Sequence, residues 1–432
     1  MSSHSASTPM LLILGDDLSG TADCAVTSAA LGLSSIVMLH APQTTHTLPF
    51  GVDVLAVDLD CRRSTAALAA QANADAWHRL SHPTMRLYKK VDSTLRGNVA
   101  AEIAALVPLA GMAIVAPAFP AAGRTTRDAR QWLHGTPVEE SEVWRNEAIA
   151  GRADLAVMLA LQGLKVAALT LDMARAEPTV LLAYMRRAQA DGVQALVCDS
   201  ETDDDLRRIA QASALLAGVF WVGSAGLAPD LMRALALTAA GDALTLPPPA
   251  AGSPMLAVVG SMSSVSHAQV AALKDAAGSA LLTFEVATQS LRHEQAELTR
   301  AVSEALQQGC DVVVLLQQDD RTHVADGLYF CQRLAAVLAP ALPHAASIVA
   351  TGGETARALL AAAGIDALHV VDEIESGVPL LHALHAGRTL QVITKAGGFG
   401  TPATLTSAWR RLARHHCADH LRAQPSQEEI PQ

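Results

Sequence analysis

The sequence predicts an α/β protein of two domains, each with a mostly parallel sheet flanked by helices. Three observations predict it. Short runs rich in Val, Ile and Leu alternate with alanine-rich stretches of helical spacing. The alternation breaks once, at ALTLPPPAAGSP (243–254), and restarts at once. The chain has 432 residues, more than one cooperative core usually holds.

The elements follow in order. MLLIL (10–14) reads as the first strand and Thr21 to Leu31 as the first helix. Strands are then expected at 54–58, 85–91, 112–118, 166–170, 193–199 and 219–223, with helices at 64–80, 152–162 and 203–217. The proline run makes 244–254 a stiff linker between a domain over 1–243 and a second over 255–418. In the second domain, strands are expected at 255–260, 281–286, 312–317, 347–351, 367–371 and 391–395. Helices are expected there at 267–277, 291–308, 323–339, 354–363 and 403–414, and 419–432 reads as a polar tail.

Composition narrows the function. Apolar residues make up 50% and aromatic residues 3%, so the cores are built from Ala, Leu and Val, with little material for base stacking. The net charge of -11 disfavours nonspecific binding to nucleic acid or to acidic membranes. LLIL is too short for a signal-peptide core or a membrane span. Six cysteines without knuckle or CxxC spacing read as reduced thiols of a cytoplasmic protein. The histidines have no metal-binding spacing, and the metal ligands stay unknown.

Charged and polar residues collect just past the strands, where an open α/β sheet has its ligand crevice. Gly15-Asp16-Asp17-Leu18-Ser19-Gly20 follows the first strand. Asp16 and Asp17 would repel each other without a hydroxyl or cation nearby; they hold a polyol hydroxyl, accept a proton, or cap the helix. Arg62, in DCRR, follows another strand and either clamps a carboxylate or sits on a solvated turn. KKVDSTLRGN (89–98) brings Lys90, Asp92, Ser93 and Arg96 within seven residues: either Lys90 and Arg96 suit a small anion with Asp92 as a base toward a hydroxyl, or the run is a surface charge cluster. Gly123-Arg124-Thr125-Thr126 either completes this pocket or serves structure.

The second domain carries glycine and hydroxyl loops at helix starts: Gly260-Ser261-Met262-Ser263-Ser264, Thr351-Gly352-Gly353-Glu354-Thr355 and Lys395-Ala396-Gly397-Gly398-Phe399-Gly400. Such loops either bare backbone N–H groups to phosphate oxygens or serve as plain turns. Neither the dinucleotide fingerprint nor the Walker signature is present. A nicotinamide dehydrogenase is therefore the weaker reading, as is a non-catalytic sugar-acid and nucleotide sensor.

Together, GDDLSGTAD (15–23), DCR (60–62), KKVDSTLRGN (89–98), GSMSSVSHAQ (260–269), TGGETA (351–356) and KAGGFG (395–400) resemble the four-carbon acid sugar kinases in order and spacing. The resemblance implies a sugar-acid-binding first domain and an ATP-binding second domain. It implies phosphorylation of the terminal 4-hydroxyl of D-threonate, D-erythronate or 3-oxo-tetronate. Asp17 matches the second aspartate of the family's first motif, Arg62 a substrate-binding arginine, and Lys90, Val91, Asp92 and Ser93 the substrate-contacting core. Ser261, the run Gly352, Gly353, Glu354, Thr355, and Gly397 match nucleotide-contacting positions. The KKVDSTLRGN form is closer to the threonate and erythronate kinases, which makes D-threonate the expected acid. Leu18-Ser19 stands where Phe-Thr is usual, and Met262 replaces a frequent cysteine.

The expected mechanism needs positioning and charge neutralisation. Arg62, Lys90 and Arg96 hold the acid, and Asp17 or Asp92 takes the proton from O4. The glycine loops hold ATP, Mg2+ bridges its phosphates, and domain closure excludes water. A homodimer is expected on general grounds alone.

Overall fold

The computed structural model describes residues 9–43, 51–239, 246–249, 254–261, 263–293, 295–317 and 326–412. Most of the 244–254 linker, Met262, His323, His415, His416, Cys417 and the 419–432 tail lie outside the described residues. The chain divides into two compact units, Met1–Leu244 and Thr245–Gln432.

Among the described residues the first unit has eleven strands: β1 (Leu11–Gly15), β2 (Ser35–Met38), β3 (Val54–Asp58), β4 (Arg86–Lys90), β5 (Met112–Ala116), β6 (Arg124–Arg127), β7 (Arg130–Leu133), β8 (Thr136–Pro137), β9 (Val166–Leu169), β10 (Ala195–Cys198) and β11 (Val219–Gly223). Eight of them form one parallel sheet in the order β2-β3-β1-β4-β11-β5-β10-β9. β1, β3, β5 and β11 are buried along their whole length, because helices cover both faces of a parallel sheet. Register places Gly15 beside Asp58, and Lys90 beside Gly223. The loops after β1, β3 and β4 therefore emerge at one edge.

Helices α1 (Leu18–Ala30), α2 (Ala66–Leu80) and α3 (Val99–Ala110) follow those three strands. α1 starts three residues earlier than the sequence suggests, because Asp17 caps it by accepting from Gly20 N at 3.1 Å. Its buried face is small, with Ala22, Cys24 and Ala25, so it lies close on the sheet. α3 has no side-chain cap; instead Asn98 Nδ2 donates to Cys61 O and Ser64 O at 3.3 and 2.9 Å and ties the loop after β3 to the start of α3.

β6, β7 and β8 form a separate antiparallel sheet that the sequence reading did not foresee. Its first turn, Asp128-Ala129, has φ of 52° and 58° with no glycine. The buried Asp199 carboxylate stabilises that turn by accepting from Asp128 N and Ala129 N at 2.9 and 2.8 Å.

The second unit holds β12 (Met255–Val259), β13 (Leu281–Ala287), β14 (Asp311–Gln317), β15 (Ser347–Thr351), β16 (Ala367–Glu373), β17 (Pro379–His385) and β18 (Arg388–Lys395), in the order β13-β14-β12-β15-β18-β17-β16. β13, β14, β12, β15 and β18 run parallel, whereas β17 pairs antiparallel with β18 and β16. β17 was not foreseen. A core of Val259, Val270, Leu273, Val313, Leu315, Val349 and Ile393 lies on one face. The helices Ser264–Ala277 and Gly353–Ala362 start directly after β12 and β15.

Candidate active site

The first three polar stations converge in one charged cluster. The loop after β3 turns back on β1: Cys61 N and Arg62 N both donate to Asp16 O at 3.2 Å. That brings the Arg62 guanidinium between Asp16 and Asp17. Arg62 Nε and Nη2 donate to the two oxygens of Asp16 at 2.7 and 2.9 Å. Nη1 and Nη2 donate to the two oxygens of Asp17 at 2.9 and 2.8 Å. One planar fork thus neutralises two adjacent carboxylates. Asp92 Oδ2 lies 3.6 Å from Arg62 Nη1.

Asp92 is itself fully engaged. Its Oδ1 accepts from Thr94 N at 2.7 Å and Thr94 Oγ1 at 2.5 Å, and its Oδ2 from Arg96 Nε at 3.0 Å and Arg96 Nη2. Burial opposes ionisation of Asp92, but Arg96 and Arg62 hold its carboxyl well below the usual range. Asp16 is likewise held below its ordinary value, with Arg62 and then Lys90 and Lys89 overcoming burial. Asp17 is the most open of the three, its side chain 23% exposed against 3% for Asp16 and 9% for Asp92.

Lys90 is 5% exposed. Its ammonium lies beside Gly20, where an added methyl carbon would sit 2.3 Å from Nζ and 2.7 Å from Asp17 Oδ1. Among the described residues Lys90 makes no ion pair within 4.0 Å. The expected mechanism has Arg62, Lys90 and Arg96 alike hold the acid. In this arrangement Arg62 and Arg96 are committed to protein carboxylates, and Lys90 is not.

Val91 belongs to the hydrophobic core, so its side chain lies away from the cluster. Ser93 is partly exposed, and its carbonyl accepts from Gln131 Nε2 at 2.8 Å. The three-stranded sheet and the short helix after it brace this loop. Gln131 lies on β7, and Trp144 Nε1 donates to Thr94 O at 2.7 Å. Neither residue was foreseen, since no local pattern marks a long-range hydrogen bond to a backbone carbonyl. Arg124, on β6, has its guanidinium pulled below its ordinary value by burial, with Asp92 opposing. Beneath the cluster, Lys89 is fully buried and donates to Leu14 O at 3.1 Å, with Glu102 Oε2 at 2.8 Å.

The three glycine loops of the second unit also meet. An added Cβ on Gly397 would lie 2.1 Å from Ser261 Oγ, and one on Gly260 2.1 Å from Thr355 Oγ1. Gly352, at φ 95°, donates its N–H to Lys395 O at 2.7 Å. Ser263 Oγ and Ser266 Oγ both donate to Gly397 O at 2.8 Å. Gly353 and Glu354 open a helix, with partly buried side-chain positions at its N-terminal turn. The structure thus brings Ser261, Gly352, Thr355 and Gly397 into one cradle of short side chains and exposed backbone, a surface suited to phosphate oxygens.

Comparison with known proteins matches both units. A family model described as the sugar-binding N-terminal domain matches residues 11–231, and one described as the nucleotide-binding C-terminal domain matches 256–405. The chain is 44% identical to a D-threonate kinase of Cupriavidus necator, over 93% of this chain and 97% of that one. It is 34% identical to a D-threonate kinase of Bordetella bronchiseptica, over 93% and 96%. A solved structure from Salmonella typhimurium LT2, described as a tRNA synthase, has a TM-score of 0.77 at 21% identity, covering 93% of this chain and 99% of its own. At that identity the likeness shows the fold alone. With a sugar-binding and a nucleotide-binding domain each matched along its length, and relatives that phosphorylate such acids matched from end to end, the chain belongs to the four-carbon acid sugar kinase family.

Proposed function

We propose that this kinase transfers the γ-phosphate of ATP to the 4-hydroxyl of D-threonate, giving 4-phospho-D-threonate and ADP. The observation that carries the choice of acid is the 44% identity to a D-threonate kinase across both domains. Lys90 provides the cation for the substrate carboxylate, since it is buried at the cluster and makes no ion pair there among the described residues. Asp17 is the base toward O4. Its carboxylate is the most exposed of the three, and Arg62 with Gly20 N fills three of its acceptor positions and leaves one. Asp92 positions Arg96 and the 92–96 loop, because its four acceptor positions are filled within the protein.

ATP binds the cradle formed by Ser261, the Gly352–Thr355 run and Gly397. Among the described residues no group of three or more His, Cys, Asp or Glu is placed to hold a metal ion. Mg2+ would be carried on the phosphates, where it would neutralise charge and need few protein ligands. The protein's own contribution is to orient the acid and bind the triphosphate through backbone N–H groups.

The test is a coupled ADP-release assay with D-threonate, L-threonate, D-erythronate and 3-oxo-tetronates, followed by phosphorus NMR of the product. D-Threonate should give the highest kcat/KM with phosphate on O4. A higher kcat/KM for another acid would replace D-threonate, and ATP binding without turnover on any of them would defeat the kinase assignment.

A further inference from the structure

Lys395 ends β18 and is 1% exposed. Among the described residues its ammonium makes no ion pair within 4.0 Å. Nζ donates instead to three backbone carbonyls of the loop that follows: Ala396 O at 2.9 Å, Gly397 O at 2.9 Å and Phe399 O at 3.0 Å. An ammonium has three protons, and these three acceptors use them all. The same carbonyls are held by neighbours. Ser263 and Ser266 also donate to Gly397 O, and Gln269 Nε2 donates to Phe399 O at 3.1 Å and to Thr401 O at 2.8 Å. The peptide carbonyls of this loop are turned inward by design of the side chains behind it.

A trans peptide points its C=O and the next residue's N–H in opposite directions, and no cis peptide occurs here. Drawing in the carbonyls of Ala396, Gly397 and Phe399 therefore turns the N–H groups of Gly397, Gly398 and Gly400 outward. None of these three N–H groups donates to another described residue. Successive outward N–H groups form a concavity for anions. The Ser261 hydroxyl borders it at Gly397.

We infer that Lys395 is a positioning residue for the nucleotide: it gathers the carbonyls of the 396–399 segment and so aims the N–H groups of Gly397, Gly398 and Gly400 at the phosphates. The inference rests on the reading that this loop holds ATP. It assigns Lys395 a task different from that of a lysine that touches phosphate directly, since its protons are already spent on backbone.

The surroundings make this task sensitive to pH. Burial lowers the Lys395 ammonium from its ordinary value to about 8, with Glu375 opposing. Glu375 itself accepts from Thr401 N at 3.2 Å and braces the far end of the loop. The groups that hydrogen-bond to the loop from the helix Ser264–Ala277 and its cap, Ser263, Ser266 and Gln269, are uncharged; that helix also carries His267, whose Nε2 is buried, and the Gly352–Thr355 run beside the loop carries Glu354. As pH rises through about 8 the ammonium loses a proton, one carbonyl loses its donor, and the loop loses positive charge behind it. Nucleotide affinity should fall over that interval.

The experiment measures ATP affinity calorimetrically in the full chain for the native protein, Lys395→Met, Lys395→Arg and Gly397→Ala. Lys395→Met should weaken ATP by about tenfold or more, on the scale of losing oriented charge-assisted hydrogen bonds. Its KM for D-threonate at saturating ATP should stay within about twofold. From about pH 7 to about pH 10 the native protein should lose about tenfold in ATP affinity relative to Lys395→Arg, whose guanidinium stays charged. ATP's own ionisation cancels in that ratio. A flat ratio overturns the inference, and so does native ATP affinity in Lys395→Met. Should Lys395→Met fail to fold, the pH ratio decides alone. If Gly397→Ala weakens ATP while Lys395→Met does not, only the role of Lys395 falls. If neither weakens ATP, the placement of the nucleotide on this loop falls with it.

Discussion

Gly20→Ala is a change of one methyl group that separates stability from catalysis. Gly20 lies inside α1 and its φ is not among the positive values, so alanine meets no backbone strain there. Alanine in place of glycine within a helix favours the helix by about 1 kcal/mol. The added carbon, however, would sit 2.3 Å from Lys90 Nζ, 3.1 Å from Lys90 Cε and 2.7 Å from Asp17 Oδ1. Ordinary contact is about 3.5 Å, so the ammonium must retreat by about 1 Å and the Asp17 carboxylate must turn. Both are flexible side-chain ends, so the backbone stays while the site moves. Losing one charge-assisted hydrogen bond to the substrate carboxylate costs about 1.5–3 kcal/mol, which is about tenfold to a hundredfold in kcat/KM. The expected outcome is a melting temperature equal to or above that of the native protein, with kcat/KM for the acid lowered by that factor and ATP affinity unchanged. Coupled ADP release and a thermal melt measure both. Native kcat/KM in a folded Gly20→Ala protein would refute the placement of the acid beside Lys90.

Three further outcomes follow from the same geometry. Asp17→Asn should lower kcat by about a hundredfold or more with ATP affinity unchanged, whereas Asp92→Asn should act mainly by freeing Arg96 and raising KM for the acid; steady-state kinetics with both substrates varied tells them apart. Lys89→Met leaves Glu102 buried without its cation and should cost about 3–5 kcal/mol in urea unfolding, while Lys89→Met combined with Glu102→Leu should recover most of that loss. Asp16 and Asp92 have depressed folded pKa values, so the stability they contribute is present above about pH 4 and is lost as pH falls through their folded values. Urea unfolding from about pH 5 down to about pH 2 should therefore show a steep acid limb that Asp92→Asn makes shallower.

Much of the fold was legible because parallel strands buried on both faces read as continuous apolar runs. LLIL, VLAVD, VFWVG, MLAVV and SIVAT each appear as strands in their expected places. β16 was legible, but the other antiparallel pieces, β17 and the β6–β8 sheet, were not. β17 has Pro379 and two histidines, His382 and His385, and it is held by pairing with β18 rather than by its own composition. The turn between β6 and β7 lacks glycine at its two positive-φ positions, and only Asp199, distant in sequence, explains why Asp128 and Ala129 adopt them. At the site, motifs marked Asp16, Asp17, Arg62, Lys90, Asp92 and Arg96, since residue type and strand-end position are local properties. Which cation meets which carboxylate is not local. Arg62 joins Asp16 and Asp17 across more than forty residues of chain, a pairing that no local pattern marks.

That pairing follows from the energetics of buried charge. Asp16, Asp17 and Asp92 carry three negative charges within hydrogen-bonding reach of one another's partners, and such a set is tolerable only when neutralised. Arg62 serves two of them and Arg96 serves the third, which leaves Asp17 with its charge shared and its edge open. Lys90 then brings the cation count to three, equal to the three carboxylates. It is the cation of the set not held in an ion pair among the described residues. A monoanionic acid entering beside Lys90 therefore meets a cation without displacing an existing pair. Arg62 would have to abandon two carboxylates to do the same, at a cost of several hydrogen bonds to charged groups. On the proposed function, the arginines build the site and the lysine is the cation left to receive the substrate.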